Sequence, residues 1–224
     1  MPRDRKVADA GRSVSQIKVT LVDSQPAIWR RVQVESTVTL QRLHRTLQVV
    51  MGWTDSHMHG FRLPAPGQRG ARPRLRPIES ADEKTTRVGD LLRQPKDWLM
   101  YEYDFGDGWD HAIVLEEIVP LASTARYPMV LAGRGACPPE DVGGLPGYYH
   151  FLGAIKDPKH PDHEDMVEWG GEGFDPAAFD VHGTNRAFHG GWGPRRHSRG
   201  SGLAIRHQAP GDGRSPLRSP AGNA

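Results

Sequence analysis

The chain has 224 residues, of which 37% are hydrophobic and 25% charged, a composition typical of a globular protein. Its single cysteine, Cys137, excludes an intramolecular disulfide, and no stretch approaches the roughly 18 apolar residues of a membrane span. The first residues contain no continuous apolar segment, so we expect no secretory signal and predict a cytoplasmic location without a membrane partner.

The formal net charge of +2 is unevenly distributed along the chain. Residues 1–12 carry +2 and residues 186–224 carry +6, whereas the body between them carries −6. The basic excess therefore lies at the two ends. From this charge distribution we predict at most weak, non-specific binding of nucleic acid, through the basic tails.

Composition also divides the chain into three parts. Residues 1–14 are predicted to form a basic disordered N-terminus and residues 15–187 a single folded domain. Residues 188–224 are dominated by Gly, Arg, Ser and Pro and contain almost no large apolar side chains. Such a segment cannot bury enough apolar surface to fold, so we predict a basic disordered tail.

Two strands open the predicted domain. Residues 16–22 and 28–35 are rich in β-branched side chains and partly alternate in polarity. Pro26 lies between them, fixes its own φ and cannot continue a hydrogen-bonded ladder. These features predict a β-hairpin.

The strongest helical pattern follows this hairpin. Thr39 suits an N-cap, and Gly52 suits the left-handed residue that ends many helices. The apolar residues at helical spacing are Leu40, Leu43, Leu47 and Val50. His44 lies on the same apolar face, where a buried histidine with one hydrogen-bond partner is the simpler interpretation.

Residues 57–63 are predicted to form a short strand. His57 and His59 project from one face of it because side chains alternate along a strand. The next segment, residues 64–87, loses periodicity and is rich in Pro and Arg, which indicates a solvated loop or insertion. The arginines that could contact phosphate there are Arg69, Arg72, Arg74 and Arg76.

The clearest strand pair comprises residues 98–103 and 109–119. The dipeptide Asp107-Gly108 between them is a strong hairpin-turn signal. Further elements are predicted as a helical turn at 88–92, a strand at 129–132 and helices at 148–155 and 163–169. The sequence thus predicts one α+β domain, in which a mixed or antiparallel sheet of about five strands packs against a central helix, with C-terminal helices.

Acidic residues crowd the hairpin and the proline-rich loop at residues 137–147. Carboxylates beside an imidazole suit a divalent ion or general acid–base chemistry. Turn chemistry explains the same aspartates more simply, because Asp hydrogen-bonds its own backbone and Gly accepts positive φ. The candidate binding surface comprises Asp104, Asp107, Trp109, His111, Cys137, Glu140 and Asp141.

A metal site is the alternative use of the polar residues. Its candidate ligands are His44, His57 and His59, which meet only if the strand at 57–63 packs on the helix. A lone cysteine cannot form a zinc site by itself, but a mixed Cys/His/Asp site remains open. We therefore predict no cofactor and keep a divalent metal as the alternative.

A series of short motifs resembles a known family. The motifs are Ile28-Trp-Arg-Arg31, Leu43-His44, Met51-Gly-Trp-Thr-Asp-Ser-His-Met-His59, Tyr101-Glu-Tyr-Asp-Phe-Gly-Asp-Gly-Trp109, Tyr127-Pro128, Cys137-Pro-Pro-Glu-Asp141, Phe174-Asp-Pro176 and Asn185-Arg186. In this order they resemble the plasmid open-reading-frame-three-like family, first named from a Ri plasmid, over about residues 15–187. Some members bear the label TnpR, for the passenger protein of an insertion element.

The resemblance implies an α+β domain, often carried on mobile elements, with no established biochemistry. Many members have a second cysteine where this chain has Val142, so a two-sulfur metal or redox role is not expected here. We predict a mobile-element-associated, non-enzymatic module that binds a protein or ligand. The alternative is a metal-dependent hydrolase or nuclease that uses a His/Asp cluster, so the sequence leaves enzymatic activity open.

Overall fold

A seven-stranded antiparallel sheet organises the part of the chain that the computed structural model describes, residues 13–65, 74–170 and 173–189. The strands are β1 (Ser13–Leu21), β2 (Trp29–Glu35), β3 (His59–Pro64), β4 (Leu75–Ile78), β5 (Trp98–Tyr103), β6 (Trp109–Pro120) and β7 (Met129–Arg134). The helices are α1 (Leu40–Met51), α2 (Val88–Leu91), α3 (Gly144–Lys156), α4 (His163–Gly170) and α5 (Val181–His189), and a 3-10 turn spans Asp82–Lys84.

The strand order across the sheet is β4-β3-β5-β6-β1-β2-β7. Strand β1 lies near the centre, where it pairs with β2 on one side and with β6 on the other. The side chains of β5 alternate, so that Leu99, Tyr101 and Tyr103 are all fully buried. This single buried face is why the sheet forms one core with the helices.

Helix α1 supplies the central helical layer, as the apolar spacing predicts. The Thr39 side chain accepts a hydrogen bond from the Arg42 N–H, and Gly52 ends the helix with φ 93°. Leu40, Leu43 and Leu47 are completely buried in the same core as the strand residues. Burying each of these side chains contributes about 1.5–3 kcal/mol.

The single α+β domain is confirmed, but the predicted number of about five strands is wrong, because the sheet has seven. One missed strand is β4, which lies inside the segment interpreted as a loop and pairs with β3 at the edge. It is short, mostly exposed and contains Pro77. Sequence patterns detect such a strand poorly because no buried face imposes an alternation.

Helix α5 was also missed. It carries no buried residue and runs to His189, just beyond the predicted domain boundary. Asn185 holds it against the other edge of the sheet: its side-chain oxygen accepts from Val130 N at 2.8 Å, and its side-chain nitrogen donates to Val130 O at 2.9 Å. One asparagine thus completes the hydrogen bonds of an edge-strand residue.

Most of the predicted tails, and Arg69 and Arg72 of the predicted phosphate-contacting set, lie outside the described residues. Arg74 directly precedes β4 and Arg76 lies within it, and both are exposed. None of the helices in the described ranges combines the length and the apolar character that crossing a bilayer requires.

Candidate metal centre at the hairpin tip

The loop between β5 and β6 is built around Asp104. This residue is 7% exposed and adopts a left-handed backbone with φ 54°. Its Oδ1 accepts hydrogen bonds from Gly106 N at 2.9 Å and from Asp107 N at 3.4 Å, and its carbonyl accepts from Gly108 N at 2.7 Å. The turn is therefore a loop over residues 104–108 rather than the two-residue Asp107-Gly108 turn that the sequence suggested.

The proline-rich loop packs directly on this hairpin tip. The Asp107 Oδ2 accepts a hydrogen bond from Gly143 N at 3.1 Å. Gly144 has φ 67°, and a Cβ there would lie 2.6 Å from the Asp107 carbonyl oxygen. Only glycine fits this approach, so the sequence at 143–144 brings the acidic residues of the two loops together.

His57 lies where these two loops meet. Its Nε2 is 2.9 Å from Asp141 Oδ1, 3.7 Å from Asp104 Oδ2 and 3.8 Å from Glu140 Oε2. One ligand atom each from His57, Asp104 and Asp141 fall within 4.8 Å of one another. We call these three residues the hairpin-tip cluster, with Glu140 beside it.

The carboxylates around His57 are held in place by other groups. Glu140 Oε1 accepts from Thr54 N at 2.7 Å, from Thr54 Oγ1 at 2.8 Å and from the Tyr103 hydroxyl at 3.1 Å. Asp104 likewise uses Oδ1 for its own loop. Asp104 therefore has its Oδ2 turned toward His57, and Glu140 Oε2 faces His57 while also lying 3.4 Å from the Tyr103 hydroxyl. Carboxylates oriented by such hydrogen bonds are common around bound metal ions.

The His57 Nε2 atom is buried yet has no hydrogen-bond partner. Its 2.9 Å separation from Asp141 is short enough for a hydrogen bond, but the geometry is not that of one. Asp141 has φ 56° and a side chain that is 60% exposed, so this carboxylate opens the cluster to solvent. Burial, with Glu140 nearby, raises the pKa of Tyr103, which keeps its hydroxyl a hydrogen-bond donor.

Two residues of the predicted binding surface lie in the core instead. Trp109 is 1% exposed and His111 is completely buried, because both fall on the inward face of β6. Burial lowers the pKa of His111 to about 4, so this imidazole is neutral at ordinary pH. Neither residue reaches the surface where the sequence placed it.

Cys137 does not join the hairpin-tip cluster. It is partly buried, and burial raises the pKa of its thiol, an effect that the nearby Arg30 guanidinium only partly offsets. A thiol with a raised pKa is a poor nucleophile and a poor metal ligand.

His44 and His59 contact each other and other carboxylates than those that surround His57. Their rings stack on each other with centroids 3.5 Å apart and planes 5° apart. His44 pairs with Asp55 at 2.9 Å, and His59 pairs with Glu83 at 3.0 Å. Within the described residues, neither belongs to a three-ligand cluster with His57.

Sequence reasoning missed the groups that position the carboxylates. Thr54, Ser56 and Tyr103 gave no signal because their contacts join segments far apart in the chain. It also missed a second cluster, formed by the exposed His150 with the half-buried His160 and Asp162 near α3 and α4. The short distance in sequence between His160 and Asp162 could have suggested it.

Comparisons with known proteins identify relatives without an assigned activity in their names. Residues 13–183 match the model of the family described as plasmid pRiA4b ORF-3-like protein. The uncharacterized protein y4hQ of Sinorhizobium fredii is 41% identical over 181 residues, which cover 78% of this chain and 90% of that protein. The crystal structure of the protein of unknown function MM3350 from Methanosarcina mazei Go1 is similar, with a TM-score of 0.67 and 36% identity over 76% of this chain and 96% of the other.

Proposed function

The chain belongs to the plasmid pRiA4b ORF-3-like family, and from this premise we propose that it is a metal-dependent hydrolase whose divalent ion binds at the hairpin-tip cluster. His57, Asp104 and Asp141 are the proposed ligands, and Glu140 is the residue beside them. The plasmid in the family description also supports a mobile-element origin, which remains part of the proposal.

One observation carries this proposal: the buried His57 Nε2, which faces three carboxylates and makes no hydrogen bond of proper geometry with any of them. A buried polar atom whose hydrogen bond is not made costs about 1–3 kcal/mol, and this cost calls for an explanation. A cation bound at the nitrogen lone pair provides one. The cation would also balance the negative charge of the three neighbouring carboxylates.

The ligand types narrow the choice of ion. One imidazole with carboxylates suits Zn²⁺ or Mn²⁺ better than Ca²⁺, which takes oxygen ligands, or a copper site rich in sulfur. Three protein ligands leave coordination positions for water and substrate, the arrangement of catalytic rather than structural zinc sites. An ion bound this way would lower the pKa of its water and so supply a hydrolytic nucleophile.

Metal analysis tests the binding step. Protein purified without a metal-affinity column and then incubated with Zn²⁺ or Mn²⁺ should retain about one ion per chain after desalting. His57→Ala and Asp104→Asn should lose it, whereas Glu117→Gln, which alters an exposed carboxylate on β6, should not. Wild-type protein that retains no ion under either condition would overturn the proposal.

Hydrolysis is tested separately with the loaded protein. A model phosphodiester and a model ester should be cleaved by the wild type, with loss of turnover in His57→Ala and in the presence of a chelator. Metal binding without turnover would support the proposed metal centre and contradict the proposed hydrolase activity.

A second candidate function is a metal-free interaction module at the same surface. Met58 is 70% exposed and Phe105 is 50% exposed, and they follow His57 and Asp104 directly in the chain. In this second proposal the two side chains form one apolar patch, the kind of surface that marks contact sites. In that case Met58→Ser and Phe105→Ser should abolish partner binding. Both variants should remain folded, and the protein should contain no metal with or without them.

A further inference from the structure

A separate cavity of about 440 Å³ lies between α1, the start of β3 and the 3-10 turn. Its volume falls in the range of about 300–1,000 Å³ that small-molecule sites occupy. The residues that line it are Gln41, His44, Arg45, Asp55, His59, Ser80, Ala81, Glu83 and Lys84. None of them belongs to the hairpin-tip cluster, so the cavity is a different site.

The His44 side of the cavity is fixed by a closed ring of hydrogen bonds. Gln48 donates to the Tyr101 hydroxyl at 3.0 Å, and that hydroxyl lies 2.9 Å from His44 Nδ1. His44 Nε2 lies 2.9 Å from Asp55 Oδ1, and Asp55 N donates back to Gln48 at 2.8 Å. Burial lowers the pKa of His44, which favours the neutral ring. The carboxylate of Asp55 can only accept, so the neutral ring that fits this arrangement donates from Nε2 to Asp55 and accepts the Tyr101 hydroxyl hydrogen at Nδ1.

The other side of the cavity is held by Glu83. This residue is 4% exposed, and its Oε2 lies 3.0 Å from His59 Nε2. Its second oxygen, Oε1, is buried and has no hydrogen-bond partner. A buried carboxylate oxygen without a donor is costly, and Glu83 lines the cavity, so a ligand N–H or O–H group that reaches this carboxylate would offset that cost.

The negative charge of Glu83 lies at the buried part of the cavity and the positive charges lie at its exposed part. At the buried part, Glu83 is beside the stacked rings of His44 and His59. The exposed groups include the two cations Arg45 and Lys84. Both imidazole Nε2 atoms already pair with a carboxylate. This arrangement favours a ligand with its own donors over a shared metal ion.

We propose that this cavity binds a small zwitterion of the α-amino acid type. The ligand's ammonium group donates to Glu83 and Asp55, and its carboxylate pairs with Arg45 and Lys84. Each end of the ligand thereby meets charge of the opposite sign, and Glu83 Oε1 gains the donor that it lacks.

Calorimetric titration with each common L-amino acid in turn tests this site. At least one should bind with one-to-one stoichiometry. Its N-acetyl derivative, which lacks the ammonium, and its amide, which lacks the carboxylate, should each bind about tenfold or more weakly, the usual effect of losing one charged hydrogen bond.

Matched variants locate the binding. Glu83→Gln and Lys84→Ala should each weaken it by a similar factor, and Glu117→Gln should not. Lys84 is exposed, so its variant remains informative if Glu83→Gln fails to fold. Asp141→Asn should bind the amino acid normally, which separates this site from the metal centre. Absence of binding by every amino acid, equal binding of the N-acetyl derivative, or full affinity in Lys84→Ala would overturn the proposal.

Discussion

Tyr103 donates its hydroxyl hydrogen to Glu140 at 3.1 Å and so ties the end of β5 to the proline-rich loop. The same hydroxyl accepts a hydrogen bond from Ser56 N at 3.0 Å. A single buried side chain therefore connects the three segments that supply His57, Asp104 and Asp141. The geometry of the hairpin-tip cluster depends on this connection.

Tyr103→Phe should destabilise the fold by about 1–3 kcal/mol, because it leaves buried groups without a hydrogen-bond partner. It should also weaken metal binding, since Glu140 loses a donor that orients it. Urea unfolding measures the first effect and metal titration the second. Tyr149→Phe is the matched control: its hydroxyl also bonds the backbone, but at an exposed position, so a much smaller loss is expected. Equal losses in the two variants would contradict this view of Tyr103.

The free energy of unfolding should fall in mild acid because of His111. Its pKa is about 4 in the folded protein and about 6.5 when the chain unfolds, so the unfolded state binds the proton first. The contribution is fully present above pH 6.5 and is lost as the pH falls through about 4, up to roughly 3 kcal/mol. The lowered pKa of His44 acts in the same direction.

Urea unfolding between pH 7 and pH 4 measures this loss. His111→Leu should show a flatter dependence than the wild type, whereas His150→Gln, at an exposed histidine, should follow the wild type. A curve for His111→Leu that parallels the wild type would show that His111 titrates normally.

Cys137 should react slowly with Ellman's reagent in the folded protein. Burial raises the pKa of the thiol, so little thiolate is present at neutral pH. The reaction should become fast in denaturing urea, where the thiol returns to its ordinary pKa. A rapid reaction under native conditions would instead indicate an accessible, activated thiolate.

Gly144→Ala should damage the junction of the two loops. Its Cβ would meet the Asp107 carbonyl oxygen at 2.6 Å, in addition to the cost of a left-handed alanine. Gly108→Ala is the matched control, because Gly108 has a similar φ of 68° but open space around a Cβ. Gly108→Ala should cost about 1–2 kcal/mol. Gly144→Ala should cost clearly more and should lower metal affinity, as thermal unfolding and metal titration would show.

The elements with strong periodicity could be predicted from the sequence. The buried stripe of α1 and the alternation of β5 and β6 each reflect one face packed in the core, and these elements are present as expected. Strand β4 and helix α5 lack such a face, so their positions depend on edge contacts such as the one made by Asn185. The local pattern of polar and apolar residues does not predict contacts of this kind.

The candidate site could be predicted only in part. The sequence singled out Asp104, Glu140 and Asp141 and, separately, His57, but it paired His57 with His44 and His59 because only nearby residues could be compared. Alternation along β6 already contained the information that Trp109 and His111 face inward with Ile113 and Leu115. The convergence of two loops on His57 depends on left-handed backbone at Asp104 and Asp141, which no spacing rule reveals.

The position of β1 bears on how the chain reaches its fold during synthesis. Of the described strands this one is made first, yet it needs β6, whose partner residues lie about a hundred positions later, as in the pairing of Gln16 with Glu117. The early hairpin β1–β2 must therefore wait with one edge unpaired while the ribosome adds the intervening chain. Folding dominated by such distant pairings is slow. Until β6 emerges and closes the middle of the sheet, that unpaired edge is a site where other strands can pair.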